Sequence, residues 1–314
     1  MTTAPDSQVA GSFRHEAVFY SGLDDLVGLV APFVVEGLEL GEAVLVAELP
    51  DRVRVLEKAL GDDAARVSFI DMTEVGRNPA CIIPEWRRFV DEHRDSGGFR
   101  GVGEPAWAGR RAVELEECRL HEALLNVAFD DGPAWQLLCP YDASALPTEV
   151  LRNAMLTHPT VHGGAETPFA GYEGHAHASE EFTRRLPAPP SGAEEIRFGE
   201  GDLSGLRSVV RRLCDNANLQ EDVVDDLVLA AHELAANSVV HGGGGGTLRA
   251  WDAADDFVLE VDDAGVIDDV LVGRSPQVGF AENGRGVWMA NQLCDLVQVR
   301  SSAYGTTVRV HTWL

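Results

Sequence analysis

The chain has 314 residues, 45% of them hydrophobic and 24% charged, a balance that suits soluble globular units; at roughly 100–200 residues per domain it predicts two domains rather than one. A formal net charge of −26 predicts an acidic surface that repels phosphate backbones and anionic lipid. This excludes direct nucleic-acid binding and membrane association as leading functions and leaves a basic protein surface as a fitting partner. No stretch reaches the ~20 apolar residues of a bilayer span, the opening MTTAPDSQVAGSF lacks the parts of a signal peptide, and the five cysteines are scattered without a CxxC motif, so reduced thiols in the cytoplasm are expected.

Strand-like and helix-like segments alternate over the first half. HEAVFY reads as a short apolar strand and DDLVGLVAPFVVEGLELG as a helix. AVLVAEL is a buried strand, and PDRVRVLEKAL is a helix with Pro50 near its start. RVSFIDM is a third strand, PEWRRFVDEHRDSG a helix and FRGVGEP a fourth strand. VELEECRLHEALLNVAFDDG, AWQLLCPY and PTEVLRNAMLTHP complete the set as helix, strand and helix. This rhythm predicts βαβ units around a mostly parallel sheet. The turn after the first strand is SGLDDL, without GK[ST], and the only lysine, Lys58, falls inside a helix. A working phosphate-binding P-loop is therefore excluded. His15, Tyr20, Glu104 and Trp107 fall at predicted strand ends, where ligands bind in open α/β sheets; each also suits a packing or capping role.

Residues 156–192 break the alternation with Pro, Gly, His and Ala and close on PAPPSG, the composition of a long connection. His162, His175 and His177 lie there without metal-ligand spacing. From residue 194 a second pattern begins. EEIRFG is a strand, DLSGLRSVVRRLCDNANL a helix that Asp202 is placed to cap, and QEDVVDDLVLAAHELAANSVVHG a longer helix. TLRAWDAADDFVLEVDDAG predicts two strands and a polar turn. GRGVWMANQLCDLVQVRS predicts a helix running into a strand, and GTTVRVHTWL is the last strand. Two helices followed by an antiparallel set predict an α/β sandwich.

Four pieces of this second half carry chemistry. On the long helix, Leu227, Ala230, Ala231 and Leu234 make a core stripe, while Glu233, Asn237 and His241 share another face at i, i+4 and i+8. Two oxygens stacked one turn apart suit a Mg²⁺ ion carrying nucleotide phosphates; alone, they suit a solvated helix face as well. VLEVDDAG ends a strand in Asp262 and Asp263 before Gly265, a carboxylate placed to accept from an exocyclic amine or simply an Asp–Gly turn. In ENGRGVWMANQLCD, Gly284 and Gly286 flank Arg285 at a helix start, where backbone N–H groups favour anions. Thr306 opens the last strand with a hydroxyl.

In order and spacing, HELAANSVVHG, VDDAG, ENGRGVWMANQLCD and GTTV together resemble the GHKL ATPase family, and within it the anti-sigma-factor serine/threonine kinase branch. The resemblance covers about residues 194–314. It implies a Bergerat-type α/β sandwich that binds ATP and Mg²⁺. Glu233 would orient or deprotonate the attacking hydroxyl, Asn237 would ligate Mg²⁺ through the nucleotide, and His241 would share that face. Asp263 would read the adenine amine beside Gly265. Gly284, Arg285 and Gly286 would line the phosphates, and Thr306 would support the adenine end. The chain departs from the family at Ala264 and in lacking a second glycine in VDDAGVIDD, which bears on the adenine-side loop.

HEAVFYSGLDDLVGLVAPFVVEGLELGEAVLVAE, GVGEPAW and the ECRLHEALLN helix resemble the MEDS sensory domain, over about residues 13–160. This implies a RecA- or KaiC-like parallel βα fold that senses an undefined small-molecule or protein signal. The expected layout is a sensory domain at 13–160, a linker at 161–193 and an ATPase domain at 194–314. The expected function is a signal-responsive ATP-binding regulator: an anti-sigma factor with kinase activity toward an antagonist protein, partnered by a sigma factor and possible as a homodimer. The alternatives are a non-catalytic ATP-dependent switch and, less well matched, a histidine-kinase-like sensor, for which no amphipathic hairpin bearing a phosphoacceptor histidine is present.

Overall fold

In the computed structural model, residues 13–163, 171–172, 174–275 and 285–314 are described. The chain divides into two units. One comprises residues up to Gly76 together with Glu85–His177, the other Arg77–Pro84 together with Ala178–Leu314.

The first unit is built on β1 (Arg14–Tyr20), α1 (Leu23–Leu40), β2 (Ala43–Glu48), α2 (Pro50–Leu60), β3 (Val67–Asp71), the single-turn α3 (Met72–Val75) and α4 (Ile82–Glu92). It continues through β4 (Phe99–Gly103), α5 (Ala112–Ala128), β5 (Gln136–Asp142), α6 (Thr148–Thr157) and the two-residue β6 (Thr160–Val161). The strands form one sheet in the order β3-β2-β4-β5-β1-β6, with every pairing parallel. The apolar runs of the sequence explain this. A parallel sheet is covered on both faces by its crossover helices, so its strands need no polar alternation. Val44 and Val46 of β2, Val102 of β4 and Leu138 of β5 pack with Leu26, Val30, Phe33 and Val34 of α1 in one buried cluster.

Pro50 sits in the first turn of α2, as the sequence predicts, where its missing N–H costs nothing. The strand predicted over RVSFIDM stops one residue early. Asp71 accepts from the Thr73 amide at 2.8 Å and caps α3, so Met72 turns into a helix.

The stretch read as a connection contains α7 (His175–Thr183), whose Ala178, Glu181 and Phe182 are buried. The second unit then runs through β7 (Glu194–Gly199), α8 (Leu203–Asn216), α9 (Glu221–His241), β8 (Gly245–Ala253), β9 (Asp256–Asp263), α10 (Arg285–Leu293), β10 (Leu296–Ser302) and β11 (Gly305–Trp313). Its five strands form an antiparallel sheet in the order β10-β11-β9-β8-β7, and α8, α9 and α10 pack against it. Mixed α/β architecture, one parallel and one antiparallel sheet, therefore holds. Asp202 does not cap α8 with its side chain. A 3-10 turn over Glu200–Asp202 precedes the helix, and the carboxylate folds back to accept from the Gly199 amide at 2.9 Å.

The sheet of the second unit is two-faced. Leu259 and Val261 of β9 and Val308 and Val310 of β11 alternate inward with Leu248 and Ala250 of β8, all buried. The opposite face carries a charge ladder: Arg309 holds Glu260 through Nε at 2.9 Å and Nη2 at 2.5 Å, and Arg249 reaches the other Glu260 oxygen at 3.1 Å. Residues 183–193 lie along this polar side. The Pro187 carbonyl accepts from Arg309 at 2.7 Å, and the segment lines a cavity of about 710 Å³ with Arg249, Arg300 and Tyr304.

Candidate functional site

The long helix α9 positions the first site residues. It buries Leu227, Ala230, Ala231 and Leu234 as the stripe predicts. That choice rotates Glu233 and Asn237 to the helix flank, where both are half-buried. Among the described residues neither side chain makes a hydrogen bond within the unit, so both keep their oxygens available. His241 is the last helical residue and is exposed, on the same face as the other two.

The start of α10 closes over this pair. A Cβ at Gly286 would stand 2.6 Å from Asn237 Nδ2 and 3.2 Å from both Cβ and the carbonyl oxygen of Glu233. A side chain there would displace Asn237, so glycine suits that approach. Arg285, one residue earlier, is exposed at the helix start. Gly284 lies outside the described residues.

Asp263 ends β9 opposite Thr306 of β11. One of its carboxylate oxygens accepts from Ser238 of α9 at 2.6 Å and the other from the Gly265 amide at 2.7 Å. Each oxygen retains a lone pair for a further donor. Gly265 is held because a Cβ there would meet the His241 carbonyl oxygen at 2.7 Å and Gly242 Cα at 2.9 Å. Thr306, buried, donates to the Gly265 carbonyl at 2.9 Å and is 2.8 Å from the Ser301 hydroxyl. Ser301 in turn accepts from the Ile267 amide at 2.8 Å. Thr306 is thus a brace for the Asp263–Gly265 turn. Ser238 and Ser301 were not singled out in the sequence; Ser238 sits one residue beyond Asn237, and its only signal was a small polar residue on the buried side of α9.

Glu233, Asn237, Asp263, Gly265, Gly286 and Thr306 therefore lie in one unit, with α9 touching both the α10 start and the β9 turn. The arrangement has a carboxylate, a carboxamide oxygen and a helix N-terminus toward one end and a braced carboxylate toward the other. That donor and acceptor set suits a ligand with a phosphorylated end and an amine-bearing end.

In the first unit, the residues expected at strand ends separate. Tyr20 and Glu104 meet at the carboxyl edge of the sheet, with the tyrosine hydroxyl 3.1 Å from both Glu104 oxygens. Arg52 is 2.7 Å from Glu104 and 4.0 Å from Glu48. All four are buried. Burial raises both carboxyls, Glu48 to about 7 and Glu104 well above its ordinary value, because one guanidinium cannot neutralise two carboxylates in a dry interior. His15 is at the other end of β1, its amino end, so it is not a partner of that cluster. Trp107 is half-buried and stacks under Arg110, with Cζ 3.5 Å from the ring centre. Of the connection histidines, His162 pairs with Glu16 at 3.0 Å and His175 lies 3.3 Å from the Asn126 carbonyl. None joins a group of metal-ligating side chains among the described residues. The five cysteines are free thiols, four of them buried.

The second unit is an α/β sandwich, and its residues 199–312 match the histidine kinase-like ATPase domain family. Residues 14–159 match the MEDS family, the methanogen/methylotroph, DcmR sensory domain. The chain thus carries a MEDS domain ahead of a histidine kinase-like ATPase domain. A solved structure of the RsbU and RsbW domains of Rv1364c from Mycobacterium tuberculosis is similar at 22% identity, over 42% of this chain and 34% of that one, with a TM-score of 0.31. The match spans about a third of that structure's chain. A comparison with curated proteins gives no match. Among the described residues no helix is long and apolar enough to cross a membrane.

Proposed function

We propose that the chain is a signal-responsive, ATP-binding regulator, an anti-sigma factor with serine/threonine kinase activity toward an antagonist protein. The observation that carries the ATP-binding reading is the approach of Gly286 to Glu233 and Asn237 in the same unit that braces Asp263 through Ser238 and Gly265. Asp263 has lone pairs to spare for the adenine amine, with Thr306 holding its turn. Gly284, Arg285 and Gly286 would line the phosphates, the last two from the start of α10. The residues fit Mg²⁺: Asn237 offers an uncommitted carboxamide oxygen, and the nucleotide would supply the remaining oxygens. Bound there, the ion would neutralise phosphate charge. Glu233, also uncommitted, is suited to orient or deprotonate an incoming hydroxyl, and His241 would border the site from solvent. Phosphoryl transfer asks mainly for such positioning and charge neutralisation.

The RecA- or KaiC-like reading of the first unit is supported by its all-parallel sheet with β1 in an interior place. Its expected role is to receive a small-molecule or protein signal. The proposed layout is the sensory domain at 13–160, the linker at 161–193 and the ATPase at 194–314, in a cytoplasmic protein whose partners are a sigma factor and its antagonist, in a homodimer or alone.

The test is a pull-down with the full chain, with and without ATP, followed by phosphotransfer to the captured antagonist. Transfer of phosphate to a serine or threonine of a captured protein, lost in Glu233→Gln while ATP affinity stays within about twofold, supports the kinase reading. ATP-dependent capture with no transfer, and no effect of Glu233→Gln, would establish the non-catalytic switch instead.

A further inference from the structure

A second cluster lies inside the first unit. His15 of β1, Glu122 of α5, Cys139 of β5 and His158 just after α6 each turn one ligating atom inward, and these atoms lie within 4.8 Å of one another. All four residues are buried. His15 Nε2 is 3.0 Å from Glu122 Oε2 and 3.3 Å from Cys139 Sγ. His158 Nε2 is 3.3 Å from the same Glu122 oxygen. A tetrahedral ion with bonds of about 2.0–2.3 Å places its ligand atoms roughly 3.3–3.8 Å apart, close to the three distances above and inside the 4.8 Å that bounds the whole group.

The hydrogen bonds around the cluster fix which nitrogens point inward. Asn126 donates its amide to the Thr157 carbonyl at 2.8 Å, which turns its oxygen toward His15 Nδ1 at 3.1 Å. His158 Nδ1 faces the Ala154 carbonyl at 2.8 Å. A carbonyl oxygen only accepts, so each Nδ1 carries the proton and each Nε2 presents a lone pair. Two imidazole lone pairs and a carboxylate then converge in a dry interior. The Cys139 S–H and the Tyr141 hydroxyl are the donors that face Glu122, and His158 Nε2 makes no hydrogen bond. Uncompensated acceptors in this density are costly. Histidines that ligate metal characteristically donate their other N–H to a carbonyl in this way.

We propose that His15 Nε2, His158 Nε2, the Glu122 carboxylate and the Cys139 thiolate form a site for a divalent transition ion of the zinc class. The mixed nitrogen, sulfur and oxygen set suits zinc and disfavours Mg²⁺ and Ca²⁺, which take oxygen. Binding expels the thiol proton to solvent, so two anionic ligands balance the dication and the buried site is neutral. A cavity of about 20 Å³ beside Glu122 and Tyr141 admits no more than a water. The site is therefore closed by protein, and it ties β1, β5, α5 and the end of α6 together.

The experiment uses the full chain, purified from zinc-supplemented cultures and compared with His15→Ala/His158→Ala and with Cys139→Ser. Metal content is measured by mass spectrometry, and Co²⁺ is exchanged into the protein for its absorption spectrum. The expected result is about one zinc per wild-type chain, intense d–d bands of tetrahedral Co²⁺ and a thiolate-to-cobalt charge-transfer band. Cys139→Ser should lose the charge-transfer band, and the double variant should lose the metal. Wild-type protein without stoichiometric zinc, melting identically with zinc and with a chelator, overturns the site and leaves a proton-shared His–Glu network in its place. Cobalt bound without a thiolate band equally overturns the assigned ligand set. Both refuting results are read on wild-type protein, so they stand even where a variant fails to fold.

Discussion

Gly286→Ala is the most direct perturbation of the proposed nucleotide site. The added methyl would stand 2.6 Å from Asn237 Nδ2 and 3.2 Å from the Glu233 backbone oxygen. The first contact is with the far end of a side chain, which rotates aside at small cost. The second is with helix backbone and yields by a few tenths of an ångström at most. Overpacking of this kind costs about 1–3 kcal/mol, and the cheap relief available at Asn237 places this variant near 1 kcal/mol, a fall in melting temperature of about 2–4 °C. The relief has a functional consequence, because it displaces the oxygen assigned to Mg²⁺. Affinity for Mg·ATP should fall at least ~10-fold, equivalent to about 1.4 kcal/mol, while affinity for metal-free nucleotide should fall less. Isothermal titration with a non-hydrolysable ATP analogue, with and without Mg²⁺, measures both. Unchanged Mg·ATP affinity alongside the expected melting shift would refute the placement of Asn237 in the site.

Asp263→Asn replaces a carboxylate that accepts from Ser238 and Gly265 by a group with a single accepting oxygen. Hydrogen bonds to charged groups are worth about 1.5–3 kcal/mol, so ATP affinity should fall ~10- to 100-fold in a nucleotide titration, with discrimination against GTP weakened. Glu48→Gln tests the buried acid pair. Glu48 titrates near 7 in the fold against about 4.5 unfolded, so the native state holds a proton that the unfolded chain releases, and stability declines as pH rises from about 4.5 to 7. Glu104, raised by the same burial, still titrates in the variant, so urea unfolding of the first unit should show the decline in wild type and a shallower one in the variant. Arg309→Ala leaves the buried Glu260 carboxylate with Arg249 alone. Breaking a buried pair costs about 3–5 kcal/mol, and Arg249 holds this case to the low end. Replacing both partners together, Arg309→Met with Glu260→Leu, should recover most of that loss in the same unfolding measurement.

The alternation of apolar runs and amphipathic stretches announced both sheets, because period 2 and period 3.6 are local properties of a chain. The same locality made the ATPase motif readable: Glu233 and Asn237 share a face by helical spacing alone, and Asp263 and Gly265 belong to one turn. What the motif could not supply was its brace. Ser238, Gly265 and Thr306 become one unit only when α9, β9 and β11 pack, and Gly286 acquires its meaning only when α10 lands on α9. The histidines of the connection drew attention by their number in sequence, yet the metal-ligating group formed elsewhere. His15, Glu122, Cys139 and His158 are separated by up to 143 residues, and each falls in a segment whose pattern reads as core. Strand order β3-β2-β4-β5-β1-β6 sets β1 beside β5 and β6, and that adjacency alone brings His15 to Cys139. Charge spacing along the chain could not reveal it, because polar groups in a dry interior are chosen for partners that only tertiary structure provides.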